Sequence, residues 1–340
     1  MVEVRDIDQE KLWEEFVRVW PGANFLQSFA WGEFNQALGH RVVRKGFYKN
    51  KKLAGVVSAI VEKGKRAKYL TVPAGPLISW KDEGVVKMFM ETIRKIAAEE
   101  KCSFVRVRPQ IVNSGENQAM FSKLGFKVAP MHLHEQLTVK LDLSKTEEQL
   151  LIEMRKATRY EIRQGLKTGI EVEESTDAGE MDGFYDLQMQ TASRQAFVPF
   201  SKNFLVKQFE AFAKRGMVKL YTARLNGEIL AQGMVIFYGQ EGDYHYGAGS
   251  ESGRKYPGAY VLLWKAIREA KVRGLKYFDL WGIAPLDKPK HRFAGVSLFK
   301  RGFGGEVVEY VHALDLIIDP MKYAVDWVIE ETRRRVRGLA

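Results

Sequence analysis

One order of segments occurs twice along this chain: hairpin, strand, loop, helix, strand. That repetition limits the fold more than any other feature. In the first half, residues 41–61 read RVVRKGFYKNKKLAGVVSAIV, two strand-like runs around a polar turn at Asn50 to Lys52, the pattern of a β-hairpin. AKYLTVPAGPLIS follows as a strand broken by Pro and Gly, and EGVVKMFMETIRKIAAEE spaces Val85, Met88, Phe89, Thr92, Ile93 and Ile96 along one helical face. SFVRVRPQ is a strand stopped by Pro109, and NQAMFSKLGFKV is a short helix closed by Gly125 and followed by a strand. The second half repeats the order. VKLYTARLNGEILAQGMVIFY is a hairpin with an Asn226-Gly227 turn, GDYHYGAGS a strand, SGRKYPG a loop, AYVLLWKAIREAKVRG a helix stopped by Gly274, and LKYFDLWGI a strand. The match lies in element order, not residue identity. It predicts a duplicated α/β domain with mixed sheets, residues 1–143 and 144–318, followed by a helix over 319–340.

Length agrees, because 340 residues suit two domains. A hydrophobic fraction of 46% with 12% aromatic residues supplies large cores. Cys102 is the only cysteine, which excludes an internal disulfide and multi-cysteine zinc sites and fits a reducing compartment. Met1 to Trp20 carries acids and no apolar core, unlike a signal peptide, and no apolar run suffices to span a membrane. A cytoplasmic location is therefore expected. The net charge of +11 favours an anionic partner: nucleic acid, a phosphorylated substrate or a membrane surface.

Two further segments are basic. LSKTEEQLLIEMRKATRYEIRQGLKTG opens with an expected capping box at Ser144 and Glu147 and carries Arg155, Lys156, Arg159, Arg163 and Lys167, either a solvated face or an anion-contacting one. In the last helix Asp319 is the expected N-cap with Pro320 at the first turn. Met321, Ala324, Val325, Val328 and Ile329 form a stripe expected to pack on the protein, and the end runs Arg333-Arg334-Arg335-Val336-Arg337.

Walker A, GxGxxG, HExxH and GxSxG motifs are absent. His132 and His134 have the spacing of one strand face but lack a carboxylate cluster, so no metal is expected. The loop in GSESGRKYPGAYVLLW joins a strand to a helix start, where backbone N–H groups bind anions; it holds Arg254, Lys255 and Tyr256. In GNAT acetyltransferases the acyl-CoA pyrophosphate sits at such a place on a [QR]-x-x-G-x-[GA] pattern. Here the step from Arg254 to Gly258 is one residue too long. Tyr244 and Tyr246 have the spacing of one strand face, and Trp31 and Trp281 are further aromatic candidates for stacking or for the core. Lys300, flanked by Leu298, Phe299 and Phe303 and expected on a strand with Arg301 facing away, suits a negatively charged reacting group. Arg194 in TASRQAFVPF suits a bidentate phosphate contact.

FLQSFAWGEFNQALG, YLTVPAGPLI, KATRYEIRQGLKTGIEV, GAYVLLWKAIREAKVRGLKYFDLWGI and FKRGFGGEVVEY, in this order, resemble the FemABX peptidyltransferases over nearly the whole chain. The resemblance implies two tandem GNAT-like domains, with the C-terminal helix packed back on the first. It implies aminoacyl transfer from aminoacyl-tRNA to the stem-peptide amine of a peptidoglycan precursor, either UDP-MurNAc-pentapeptide or a lipid-linked form, with no cofactor. It carries the FK lysine onto Lys300, the paired tyrosines onto Tyr244 and Tyr246, a diphosphate-contacting arginine onto Arg194, and a precursor-lining Gln-x-x-x-Trp onto Gln27 and Trp31. Two departures stand out. Arg108 precedes Pro109 where the family often has an acid, and 146–168 leaves no room for a helical-hairpin arm. The competing readings are an acyl-CoA N-acyltransferase, a non-catalytic RNA- or envelope-binding protein, and aminoacyl transfer to a protein N-terminus. A peripheral contact with the inner membrane is a further expectation.

Overall fold

The computed structural model describes residues 1–64, 67–195 and 198–336. The chain divides into two units, residues 1–136 with 309–340, and residues 137–308.

Unit 1 begins with β1 (Val2–Asp6), α1 (Glu10–Val17) and α2 (Phe29–Ala37). The expected hairpin is β2 (Arg41–Lys49) and β3 (Lys52–Lys63), and Asn50 and Lys51 both take positive φ in its turn. Next come β4 (Lys68–Pro73), β5 (Leu77–Ile78), α3 (Glu83–Glu99), β6 (Phe104–Arg108), α4 (Gly115–Lys123) and β7 (Lys127–Val128). Helix α3 starts where the Asp82 side chain accepts from Val85 N, and it buries Val85, Phe89, Ile93 and Ile96 against the sheet. It carries the chain from β4 to β6, which pair in parallel.

Unit 2 comprises β8 (Leu137–Asp142), α5 (Glu147–Glu153), α6 (Lys156–Thr168), β9 (Glu171–Ser175), α7 (Met181–Gln195), α8 (Lys202–Ala213), β10 (Val218–Leu225), β11 (Glu228–Tyr238), β12 (Glu241–Gly249), α9 (Gly258–Val272), β13 (Tyr277–Asp279), α10 (Ala294–Arg301) and β14 (Glu306–Glu309). The capping box on α5 is Thr146 with Gln149, two residues beyond the expected pair. Helix α9 links β12 to β13, again a parallel pair, just as α3 links β4 to β6. The sheet order is β14-β8-β13-β12-β11-β10-β9.

The chain then returns to unit 1 with β15 (Leu314–Ile317) and α11 (Pro320–Val336), giving the sheet β1-β2-β3-β4-β6-β15-β7 with β5 on β3. This return moves the expected domain limits. Beside β6 the antiparallel neighbour is β15, from the far end of the chain; beside β13 it is β8, which precedes the repeated elements of unit 2. Residues 137–142 therefore pair in the second sheet and 314–317 in the first. Each β-β-β-α-β core has an open hydrogen-bonding edge, and a strand from outside the repeat fills it.

Helix α11 packs on unit 1 as expected, but not through the expected stripe. Its inward contacts are Tyr323, which donates to Asp315 Oδ2 at 3.0 Å and lies edge-on to Phe104, and Glu330, which accepts from Arg106 at 2.8 Å. Met321, Val325 and Val328 are exposed instead. Arg337 lies outside the described residues.

Candidate functional site

The parallel pair β12/β13 stays in register only as far as Asp243 opposite Asp279. Beyond it β12 continues on β11 alone, and the chain after β13 turns away. Lys300, Tyr244, Tyr246 and Trp281 gather around this divergence, while Arg194, Arg254 and Tyr256 lie at the far end of β12 and in the loop after it.

A β-bulge in β12 between Tyr244 and Tyr246 sets their directions. An inserted residue reverses the alternation, so the two tyrosines do not share a face as their spacing suggested. Tyr244 belongs with the core under α9, its ring lying across Gly233 and Gly247, which pair on adjacent strands. A Cβ on Gly247 would meet Tyr244 Oη at 1.8 Å, so only glycine leaves that ring its position. Tyr246 instead lies beside His245, against Phe200 and the Gln208 amide of α8. Burial raises both phenols above their usual pKa, so they act as neutral hydroxyls.

Lys300 lies on helix α10, not on a strand. It is 8% exposed, and its Nζ donates to Gly282 O at 2.9 Å and stands 6.0 Å from the Tyr244 ring centroid. Helical spacing buries Ser297 and Lys300 one turn apart and leaves Arg301 outside. The acceptor Gly282 follows Trp281, which holds φ +62°. That left-handed backbone is costly for a tryptophan. It is held by Asp279 Oδ1, which accepts from Trp281 N at 2.7 Å, while the indole stands edge-on to His245 at 4.9 Å. Ser297 Oγ fixes the far side of the same loop by accepting from Ala284 N at 2.7 Å.

Under this loop lies a buried charged cluster that sequence reading missed. Glu241, Asp243 and Asp279 bring carboxylate oxygens within 4.8 Å of one another. Lys140 Nζ lies 2.5 Å from Glu241 Oε1 and 3.6 Å from Asp279 Oδ2, and the Thr138 hydroxyl also donates to Asp279. The Lys140 ammonium thus supplies a cation to this acid cluster. The signal was present as Glu241 and Asp243 at alternate positions of one strand, but Lys140 and Asp279 join them only through the sheet.

The structure also brings Arg194 to the end of β12, where its Nη2 donates to Gly249 O. Gly249 leads into the loop before α9, whose Arg254 is exposed and pairs with Glu251 at 3.0 Å. Tyr256 is exposed in the same loop. On α6, Arg159 is spent on the carbonyls that end α5, including Met154 O at 2.5 Å, while Arg155, Lys156, Arg163 and Lys167 stay exposed. Arg155 N donates to Gly302 O at 2.9 Å, joining this basic helix to the end of α10.

In unit 1, Gln27 is fully buried and its amide is used within the fold. Nε2 donates to Ser58 O and Pro73 O, and Oε1 accepts from Ser58 N, tying β3 to the end of β4. Trp31 lies in the first turn of α2, packed on Phe25 and Phe34, and among the described residues its buried Nε1 has no hydrogen-bond partner. Arg108 ends β6 fully buried, donating to Gln110 Oε1 at 2.7 Å and, from Nε, to the His134 ring at 2.8 Å, with Glu135 at 3.4 Å. His134 lies in a loop, not on a strand. Its Nε2 accepts from Ala74 N at 3.0 Å, and burial, then the Arg108 charge, holds its pKa well below the usual value. His132 stands edge-on to His312 at 4.5 Å.

Two β-β-β-α-β sheets, each with one helix-linked parallel pair whose end carries the polar residues, define a tandem GNAT-like protein. The tandem GNAT protein of the clavulanic acid pathway shares the fold at a TM-score of 0.59 and 9% identity, over 94% of this chain and 99% of that one. The FemAB family model matches residues 9–228 and 226–331, and the chain belongs to that family. It is 19% identical to the lipid II:glycine glycyltransferase of Staphylococcus haemolyticus, over 95% of this chain and 94% of that protein. It is 22% identical to the UDP-N-acetylmuramoylpentapeptide-lysine N(6)-alanyltransferase of Weissella viridescens, over 95% and 98%. The crystal structure of FemX superposes with a TM-score of 0.86 at 17% identity, over 95% of this chain and 99% of that chain.

Proposed function

We propose that this chain transfers an aminoacyl group from aminoacyl-tRNA to the stem-peptide amine of a peptidoglycan precursor, as a cytoplasmic step of interpeptide bridge formation. The observation that carries the reading is Lys300, a buried ammonium held by Gly282 O beside Tyr244 where β12 and β13 part. The acceptor amine attacks the ester carbonyl of the charged tRNA; a C–N bond forms, the C–O bond to the ribose breaks, and the amine's proton leaves to the ribose oxygen. The ester is already activated, so alignment supplies much of the rate. Lys300 stabilises negative charge on the carbonyl or ribose oxygen, within a site where low exposure strengthens that effect. The exposed Lys156, Arg163 and Lys167 on α6, with Arg155 just before it, suit the phosphates of a polyanionic donor. Arg194, Arg254 and Tyr256 suit the precursor diphosphate, and the indole N–H of Trp31 suits a precursor acceptor atom.

The test is a transfer assay. Labelled aminoacyl-tRNAs are offered with UDP-MurNAc-pentapeptide, lipid-linked precursor or a free peptide. Product that RNase pretreatment abolishes supports the reading; product formed from acyl-CoA alone overturns it.

A further inference from the structure

We infer that the outer face of α11 docks on an anionic lipid bilayer. The helix has 17 residues, about 25 Å at 1.5 Å per residue. Its apolar stripe points away from the protein: Met321 is 82% exposed, Val325 60%, Val328 57% and Trp327 41%. Two of its three acids are held by arginines, and the third, Asp326, is half-buried. Glu330 is taken by Arg106 at 2.8 Å and Glu331 by Arg334 at 3.0 Å. Fold stability thus rests on the polar side of the helix, which leaves an apolar outward side that the fold does not need.

Charge and area choose the occupant. The stripe is flanked on the exposed surface by Arg333 and by Lys322, which pairs with Asp319 at 2.9 Å, while the acids of the helix, Asp326, Glu330 and Glu331, are half-buried or buried. A chain of net charge +11 is attracted to anionic headgroups. An apolar stripe with a tryptophan at its margin and cations beside it is the pattern of a helix lying in a membrane interface. A second copy fits less well, because four side chains on one helix fall short of the roughly 800 Å² per partner that a stable dimer buries. No helix among the described residues is long and apolar enough to cross a membrane, so contact would be peripheral. The inference goes beyond the transfer reaction and holds whichever group is transferred.

The test is co-sedimentation of the full chain with vesicles of phosphatidylcholine alone or with phosphatidylglycerol added. The wild-type chain should sediment with the anionic vesicles and the V325E/V328E double variant at least tenfold less, with unchanged circular dichroism and Tm. Trp327 emission should shift to the blue on binding, a shift that Trp327→Phe removes. Failure to bind anionic vesicles overturns the inference. So does equal binding by the double variant, which would assign the attraction to charge elsewhere. A concentration-dependent dimer that V325E/V328E abolishes, with no lipid binding, would assign the stripe to a second copy and overturn it too.

Discussion

Lys300 Nζ and Gly282 O are joined by a 2.9 Å hydrogen bond, so the ammonium on α10 is aimed by the backbone of the loop after β13. Lys300→Met removes the charge but keeps most of the side chain's length. Turnover should fall about 10²- to 10³-fold, the usual cost of losing one electrostatic donor, with little change in precursor affinity. Steady-state kinetics beside precursor calorimetry checks both, and near-wild-type turnover would remove Lys300 from the mechanism.

Asp279 acts on the same loop from beneath. It accepts from Trp281 N at 2.7 Å and so holds the left-handed turn that presents Gly282 O. Asp279→Asn weakens that hold and alters the balance with Lys140. kcat should drop about 10-fold or more while KM changes little, since a small misplacement of a catalytic group costs rate before binding. A variant whose KM rises with kcat intact would show that the turn serves binding instead.

Arg106 is nearly buried between Asp315 and Glu330, each at 2.8 Å. Arg106→Met leaves Asp315, which is fully buried, without its guanidinium. Breaking such a pair from one side typically costs about 3–5 kcal/mol. Denaturant titration should show a loss of that size, and undocking of α11 should appear as faster proteolysis near Asp319.

His134 is neutral in the folded state, its pKa held well below the usual 6.5 by burial and by the Arg108 charge. The unfolded chain binds a proton there below about pH 6.5 and the folded chain does not. Stability should therefore be flat in this respect above that pH and fall on acidification below it. His134→Gln should shrink the Tm difference between pH 7.5 and pH 5.5; an unchanged difference would assign the acid sensitivity to other groups.

Cys102 is 3% exposed, and burial pushes its thiol up to about 11. The thiolate is the reactive form, so the native chain should resist a disulfide reagent at pH 8 and react at once in denaturant. Rapid native labelling would contradict the buried placement.

Legibility followed the range of the interactions. Both hairpins, α3, α9 and the N-cap of α11 are set by nearest neighbours: Asn226-Gly227 turns the chain, Asp319 accepts from Lys322 N at 3.2 Å, and Gly274 follows α9 with φ +74°. The bulge at Tyr244 to Tyr246 carries no local mark, because alternation reads the same until a partner strand imposes a register. The FK segment was misread as strand because apolar residues on both sides of Lys300 fit either period. Of the Lys140, Glu241, Asp243 and Asp279 cluster, only the Glu241 and Asp243 spacing is local, since β8 meets β13 only in the sheet.

The sequence on its own determined the repeated α/β plan, the Gly-Asn-Pro punctuation and the lone cysteine, all of which depend on local backbone preference and periodicity. Tertiary structure decided which strand closes each sheet, which way Tyr244 and Tyr246 point, what holds Lys300, and that the stripe of α11 faces outward. The last reverses the periodicity argument for a physical reason. Three buried partners, Arg106, Asp315 and Phe104, bind Glu330 and Tyr323 strongly enough to turn the polar side of the helix inward.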